Sequence, residues 1–328
     1  MDDTDRKLLW LISEDPRMPL KELAKRLGIS RQAVDHRMQI MTKLGTFKSI
    51  KAEISFRCYS YLIFPLIWGV STTESIDKTL DRLGESEFTT NVAVLGGGVV
   101  SIFGCVRSES ELNDFVDFVK RAAEMPEPTV GLIDFDDGIN PGWIDVLRPK
   151  PNRKELSSLD LRIIASLHND ARKPIAEIAN TLGVSAKTVR RHIERMRSEG
   201  SLDFHFPYDF PPGEDMFTLL FINLRGGADK VKVGRRLLSK YPLRITLVRS
   251  FTNIPGFIRA LLNSDKMSEI RRIIKEIRED EDIASVTPNL IYHEREYETA
   301  WDWKMLRTLA RSFEKPGKQP VNAELGTS

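Results

Sequence analysis

At 328 residues the chain is long enough for two to four domains rather than one core. Its 41% hydrophobic and 29% charged content is that of a globular protein, and a net charge of +2 says less than the way the charge is distributed. The longest apolar run, YLIFPLIWGV from Tyr61, falls well short of the roughly 20 residues a membrane-spanning helix needs.

The start, MDDTDRKLLW, is acidic and then amphipathic, unlike a secretory signal, so a cytoplasmic location is expected. The two cysteines, Cys58 and Cys105, and the five histidines show no metal-ligand spacing. No metal or other cofactor is expected, and the cysteines read as ordinary buried residues.

The first predicted helix runs through DRKLLWLISED, with Leu8, Leu9, Leu11 and Ile12 at helical spacing. A second, PLKELAKRL, stops at Gly28, a residue suited to the left-handed end of a helix. Ser30 then caps a third helix starting at Arg31, in which Val34, Met38 and Met41 form a core stripe. Helix, glycine turn, helix is a helix-turn-helix arrangement. The piece FKSIKAEISF that follows fits either a wing strand or a linker.

Next comes an apolar strand, YLIFPLIWGV, and a helix, ESIDKTLDRLG. A hairpin follows, TTNVAVLGGGVVSIFGCV, whose Gly96-Gly97-Gly98 reads as a turn because no Lys-Ser/Thr or helix start follows it to cradle phosphate. A helix, ELNDFVDFVKRAAEM, and a strand, TVGLIDFDD, complete a β-α-β-β-α-β ferredoxin-like order. A proline-stiffened linker, DVLRPKPNRKELSSLD, leads to the second half.

There the opening returns. Asp5–Phe47 aligns with Asp160–Leu202 at a constant offset of 155 residues and without a gap. Leu27-Gly28 meets Leu182-Gly183, Ser30 meets Ser185, and Val34 meets Val189. The stretch LAKRLGISRQAVDHRM thus reappears as IANTLGVSAKTVRRHI, with scaffold positions kept and the outward face of the third helix rewritten. In copy two Val189, Ile193 and Met196 make the core stripe. A second β-α-β-β-α-β order follows, from FTLLFINL to ASVTPNLIYH, then an amphipathic AWDWKMLRTLARSF and a tail expected to be disordered.

The expected fold is therefore α+β, with two winged or helix-turn-helix heads and two ferredoxin-like domains in an internal duplication. Expected boundaries are a head at 1–55, a ferredoxin-like domain at 56–140, a linker at 141–158, a second head at 159–210, a second ferredoxin-like domain with a C-terminal helix at 211–312, and a tail at 313–328. Residues 60–138 carry a net charge of −9 and residues 215–300 a net charge of +3, which favours pairing of the two ferredoxin-like domains within one chain, sheet to sheet. The heads are basic, with +4 over 5–47 and +3 over 160–200, as phosphate neutralisation requires.

These motifs resemble the leucine-responsive regulatory protein/AsnC family of transcription regulators, once in DDTDRKLLWLISEDPRMPLKELAKRLGISRQAVDHRMQIMTKLG and again in SLDLRIIASLHNDARKPIAEIANTLGVSAKTVRRHIERMRSEG. The resemblance implies a regulator that pairs through its ferredoxin-like domains and reads paired half-sites in double-stranded DNA with its heads. Arg37 stands at the family's customary arginine position in the third helix, which is His192 in copy two. The glycine closely followed by aspartate of amino-acid-responsive members is missing from both VLGGGVVSIFG and FTNIPGFIRA, so a small-molecule effector has no identity here.

Candidate DNA-binding residues are Ser30, Arg31, Gln32, Asp35, His36 and Arg37 in the first head, and Ser185, Lys187, Thr188, Arg190, Arg191 and Arg195 in the second. Arginine or lysine to guanine and glutamine to adenine are the expected pairings in the major groove. Two other readings stand beside this one. One is an architectural DNA-binding or adaptor protein without sequence choice. The other is an enzyme like the siroheme decarboxylases, which share the head-plus-effector plan. Against the enzyme, the ferredoxin-like segments hold only His293 and no cluster of histidines and arginines. Homodimers or higher oligomers are also compatible with the sequence.

Overall fold

Capping residues fix where each repeat begins. In the computed structural model, which describes residues 2–43, 50–55, 58, 62–134, 139, 156–205, 215–297 and 307, helix α1 (Asp3–Glu14) is capped by Asp2, whose carboxylate accepts from the Asp5 N–H while Asp5 accepts from Asp2. Helices α2 (Leu20–Leu27) and α3 (Arg31–Lys43) follow, and then strand β1 (Lys51–Ile54). Gly28 ends α2 with φ +69°, a left-handed conformation that costs glycine little and other residues more. Leu8, Leu11, Ile12, Leu23 and Val34 are buried among these helices.

The second copy has the same design. Helix α6 (Ser158–Leu167) is capped by Ser157, with Asp160 completing the reciprocal box. Helix α7 (Ile175–Leu182) ends at Gly183 with φ +68°, and α8 (Ala186–Glu199) leads to β6 (Leu202–His205). Leu161, Ile164, Ile178, Val189 and Met196 form its core.

One compact unit holds both heads. Strands β1 and β6 pair antiparallel, Lys51 opposite His205 through Ile54 opposite Leu202. The segment read as wing or linker thus joins the first head to the second. A strand of four residues shows its alternation but not its partner, which here lies about 150 residues away.

The second compact unit takes residues 61–141 and 213–300. Its first part is β2 (Pro65–Val70), α4 (Ile76–Leu83), β3 (Thr89–Leu95), β4 (Val99–Gly104), α5 (Glu109–Ala122) and β5 (Thr129–Leu132). Its later part is β7 (Met216–Leu224), α9 (Lys230–Lys240), β8 (Ile245–Ser250), β9 (Phe257–Ser264), α10 (Met267–Arg278) and β10 (Ile283–Glu296). Both have the ferredoxin-like order, and the eight strands run β5-β2-β4-β3-β10-β7-β9-β8. The triple glycine turns β3 into β4, with Gly97 and Gly98 at φ +70° and +74°.

Two joints connect these halves. Strand β10 pairs with β7 through Leu290 and then continues onto β3, from Ile291 opposite Leu95 to Glu296 opposite Asn91. At the other edge, Ile133 bridges Phe251, and Asp134 N–H donates to the Ser250 carbonyl. One sheet face of each half is covered by its own helices, around Leu80, Ile102 and Phe115 in the first and Leu237, Ile258 and Ile273 in the second. A third cluster unites Trp68 of the first half with Phe251, Phe257 and Phe221 of the second. Trp68 stacks on Phe257 with ring centroids 5.5 Å apart, and burying each such ring contributes roughly 1.5–3 kcal/mol. The linker (except its last residues), the expected C-terminal amphipathic helix apart from Arg307, and the tail lie outside the described residues. Among the described residues, no helix is long and apolar enough to cross a membrane.

Candidate nucleic-acid interface

The third helix of each head carries a buried stripe and an open face. In α3, Val34 and Met41 are buried and Met38 is half-buried, while Arg31, Gln32, Asp35, His36 and Gln39 are exposed. In α8, Val189, Ile193 and Met196 are buried, while Ala186, Lys187, Arg190, Arg191 and Glu194 are exposed. Position by position at the 155-residue offset, Arg31 becomes Ala186, Gln32 becomes Lys187, Asp35 becomes Arg190 and His36 becomes Arg191. The second face is more cationic at every one of these positions except the first.

The caps make the helix starts. Ser30 Oγ accepts from the Ala33 N–H at 3.1 Å, and Ser185 Oγ accepts from the Thr188 N–H at 3.0 Å. The Ser185 and Thr188 hydroxyls lie 2.8 Å apart, so half-buried Thr188 belongs to the cap. On the open face of α3, Asp35 accepts from the Gln39 amide at 3.0 Å.

Arg37 and Arg195 are placed differently from the other candidates. Arg37 Nη1 donates to Asp2 at 2.8 Å and Asp5 at 2.7 Å. Arg195 Nη2 donates to Asp160 at 2.6 Å, and its Nη1 to Glu199 at 3.0 Å. Their guanidinium groups lie against carboxylates of the head itself, Arg37 on α1 and Arg195 on α6 and its own helix, so they bind the scaffold together. The bonds to Asp5 and Asp2 raise the pKa of Arg37, and the bond to Asp160 raises that of Arg195.

Asp160 itself is fully buried. Burial pushes its carboxyl up, but hydrogen bonds from Ser157, His192 and Arg195 outweigh that and hold it below the ordinary carboxylate value. His192 Nδ1 lies 2.7 Å from it. His192 thus takes the place of Arg37, just as Asp160 takes that of Asp5.

Sequence reasoning missed Arg17 and Arg172, which are equivalent residues of the repeat and lie at the contact between heads. Arg172 donates to the Pro16 and Met18 carbonyls at 2.7 and 2.9 Å. Arg17 donates to the Lys173 carbonyl at 3.0 Å and also to that of Ala171. Their identical position in both copies was the available signal. Among the described residues, no group of histidine, cysteine and carboxylate side chains could hold a metal ion.

The AsnC-type helix-turn-helix domain family matches residues 1–42 and 156–197, the two sets of three helices. The transcriptional regulator LrpA of Pyrococcus horikoshii is 31% identical over 98 residues, 30% of this chain and 69% of that protein. The chain belongs to the Lrp/AsnC family of helix-turn-helix transcription regulators. An uncharacterized family regulator of Pyrococcus furiosus is 24% identical over 121 residues, 36% of this chain and 81% of its own.

These Lrp/AsnC relatives align with about a third of the duplicated chain. The crystal structure of the siroheme decarboxylase NirDL instead covers 95% of this chain and 100% of its own, with a TM-score of 0.56 and 14% identity. At that identity the likeness is one of fold, here the fold of the whole tandem arrangement.

Proposed function

We propose that the chain is a sequence-specific DNA-binding regulator that works as an intramolecular pseudo-dimer and reads two non-identical half-sites. The observation that carries this reading is the pair of third helices. They share caps, core stripe and glycine turn, yet present Arg31, Gln32, Asp35 and His36 in one head and Ala186, Lys187, Arg190 and Arg191 in the other.

An exposed helix with a basic or amide face is shaped for the major groove, where arginine and lysine select guanine and glutamine selects adenine. Heads in pseudo-twofold relation suit an inverted repeat. Unequal faces suit an imperfect one. Arg37 and Arg195 support the heads in this reading and make no base contact. The protein acts without catalysis, in the cytoplasm, and the joints between the ferredoxin-like halves supply what two separate chains supply in a dimer.

The test is selection of bound fragments from random-sequence DNA at physiological salt. An enriched motif of two unequal half-sites, about one helical turn or a multiple apart, is the expected result. Binding without enrichment would replace this reading with an architectural one. A specific absorbance shift on adding siroheme, with no DNA binding, would replace it with the decarboxylase.

A further inference from the structure

The contact between heads has its own symmetry. Arg17 donates to the carbonyls of Ala171 and Lys173, the residues on either side of Arg172. Arg172 donates to the carbonyls of Pro16 and Met18, the residues on either side of Arg17. The two arginines are repeat equivalents, and so are their acceptors, Pro16 with Ala171 and Met18 with Lys173. A pseudo-twofold axis therefore passes between them.

We propose that Arg17 and Arg172 form a reciprocal clasp that fixes the separation and rotation of the two recognition helices, and so makes half-site spacing a determinant of DNA choice. The inference rests on the half-site reading above. Three features support it.

The first is that the β1–β6 ribbon alone is a poor ruler. It has four residue pairs, and a two-stranded ribbon that short sets the rotation of the domains it joins only weakly. A second attachment away from the ribbon removes that freedom, as two pins stop a hinge. The arginines provide it at the loops between the first and second helices of each head.

The second feature is chemical. Each guanidinium fork addresses two main-chain carbonyls two residues apart, a geometry that planar arginine can match and flexible lysine cannot. Main-chain acceptors are rigidly placed, so these bonds report on backbone position and not on a mobile side chain. Arg17 and Arg172 are both half-buried, and burial lowers the pKa of each. Charge-assisted bonds in such surroundings are stronger than at an open surface.

The third is the set of ties around the clasp. Ala171 N–H donates to the Ile50 carbonyl at 2.8 Å, linking the second head's loop to the first head's strand. His168 Nδ1 lies 3.0 Å from the Ala52 carbonyl, and Arg197 pairs with Asp15 at 3.2 Å. Loop, helix and ribbon of the two heads are thus tied to one another.

The experiment uses the full chain and two readouts. For the first, Gln39→Cys and Glu194→Cys carry spin labels, in a background of Cys58→Ser and Cys105→Ala. Both positions are exposed and repeat-equivalent, and pulsed electron paramagnetic resonance reads the distance between them without DNA. A single narrow distribution is expected, and Arg17→Met with Arg172→Met should broaden it. Arg17→Lys with Arg172→Lys should also broaden it while preserving charge and the circular dichroism spectrum. For the second, the selected half-sites are separated by an added half turn, about 5 base pairs. The unmodified heads should lose about tenfold or more in affinity, and the lysine variant less than about threefold.

Equal distance distributions with and without the clasp would overturn the inference even if DNA binding is specific. So would an unmodified protein indifferent to spacing. A narrow distribution that broadens on mutation, together with no enriched motif, would retain the clasp and refute the half-site reading.

Discussion

Asp160 holds His192 at 2.7 Å in the second head, where the equivalent Asp5 holds Arg37 at the same distance in the first. One aspartate position thus anchors the third helix to the first in both copies, through an arginine in one and a histidine in the other. In copy two the aspartate is fully buried and also takes Arg195. Replacing Asp160 with Asn leaves that cluster without its charge, and we expect a loss of about 3 kcal/mol. Hydrogen exchange of α6 and α8 checks it: protection should fall there and persist in α1 and α3.

The same carboxylate sets an acid limit. Its pKa is depressed in the folded head, so its stabilisation is present above the unfolded carboxylate value near 3.8 and is lost as pH falls through the lower folded value. Acid titration followed by α8 amide signals should show the second head intact at pH 4, and Asp160→Asn should remove the steep loss below it.

Arg259 on β9 is 4% exposed and lies over Trp68 and Phe221, with one neutral partner, Ser101 Oγ at 3.1 Å. Burial pushes its pKa down to about 9. The ring contacts return roughly 2 kcal/mol, less than the several kcal/mol that desolvating a cation costs. We expect Arg259→Met to raise the melting temperature of the ferredoxin-like unit, and scanning calorimetry would read it. A marked fall would mean that the rings and Ser101 outweigh desolvation.

Gly131 on β5 backs onto Phe251 and Trp68, and a Cβ there would collide with the Phe251 ring. Phe251 is fully buried and cannot swing out. Gly131→Ala should therefore cost about 1–3 kcal/mol, visible as an earlier melting transition and altered aromatic circular dichroism, while the heads stay folded.

Lys187, Arg190 and Arg191 are exposed on α8. Arg190→Ala with Arg191→Ala should weaken DNA binding and lower the salt slope by about 2 if both contact phosphate. Protection of only one half-site should be lost in footprinting. Unchanged binding would remove α8 as a reader.

The heads were legible in the sequence because their signals are local. Gly28 and Gly183 stop helices by backbone stereochemistry, Ser30 and Ser185 start them, and Val34 and Val189 mark the inward stripe. The ferredoxin-like order was readable for similar reasons, since Gly96–Gly98 and the alternating strands announce themselves. What escaped is non-local. Nothing within Lys51–Ile54 names Leu202–His205 as its partner. Arg37 and Arg195 are DNA-binding candidates by residue type, and the carboxylates that hold them, Asp2, Asp5 and Asp160, lie more than 30 residues away. Arg259 carries no mark of burial beyond its place in an alternating strand. Net charge suggested that the two halves belong together, but not that one strand would serve both.

That shared strand has a consequence during synthesis. Leu95 leaves the ribosome early, whereas its neighbour Ile291 follows only near the end of the chain. At ordinary elongation rates the delay is on the order of ten seconds or more. Throughout it, the free margin of β3 is a sticky template for any passing extended peptide. The net charge of −9 on residues 60–138 gives two such unfinished copies a mutual repulsion over that interval.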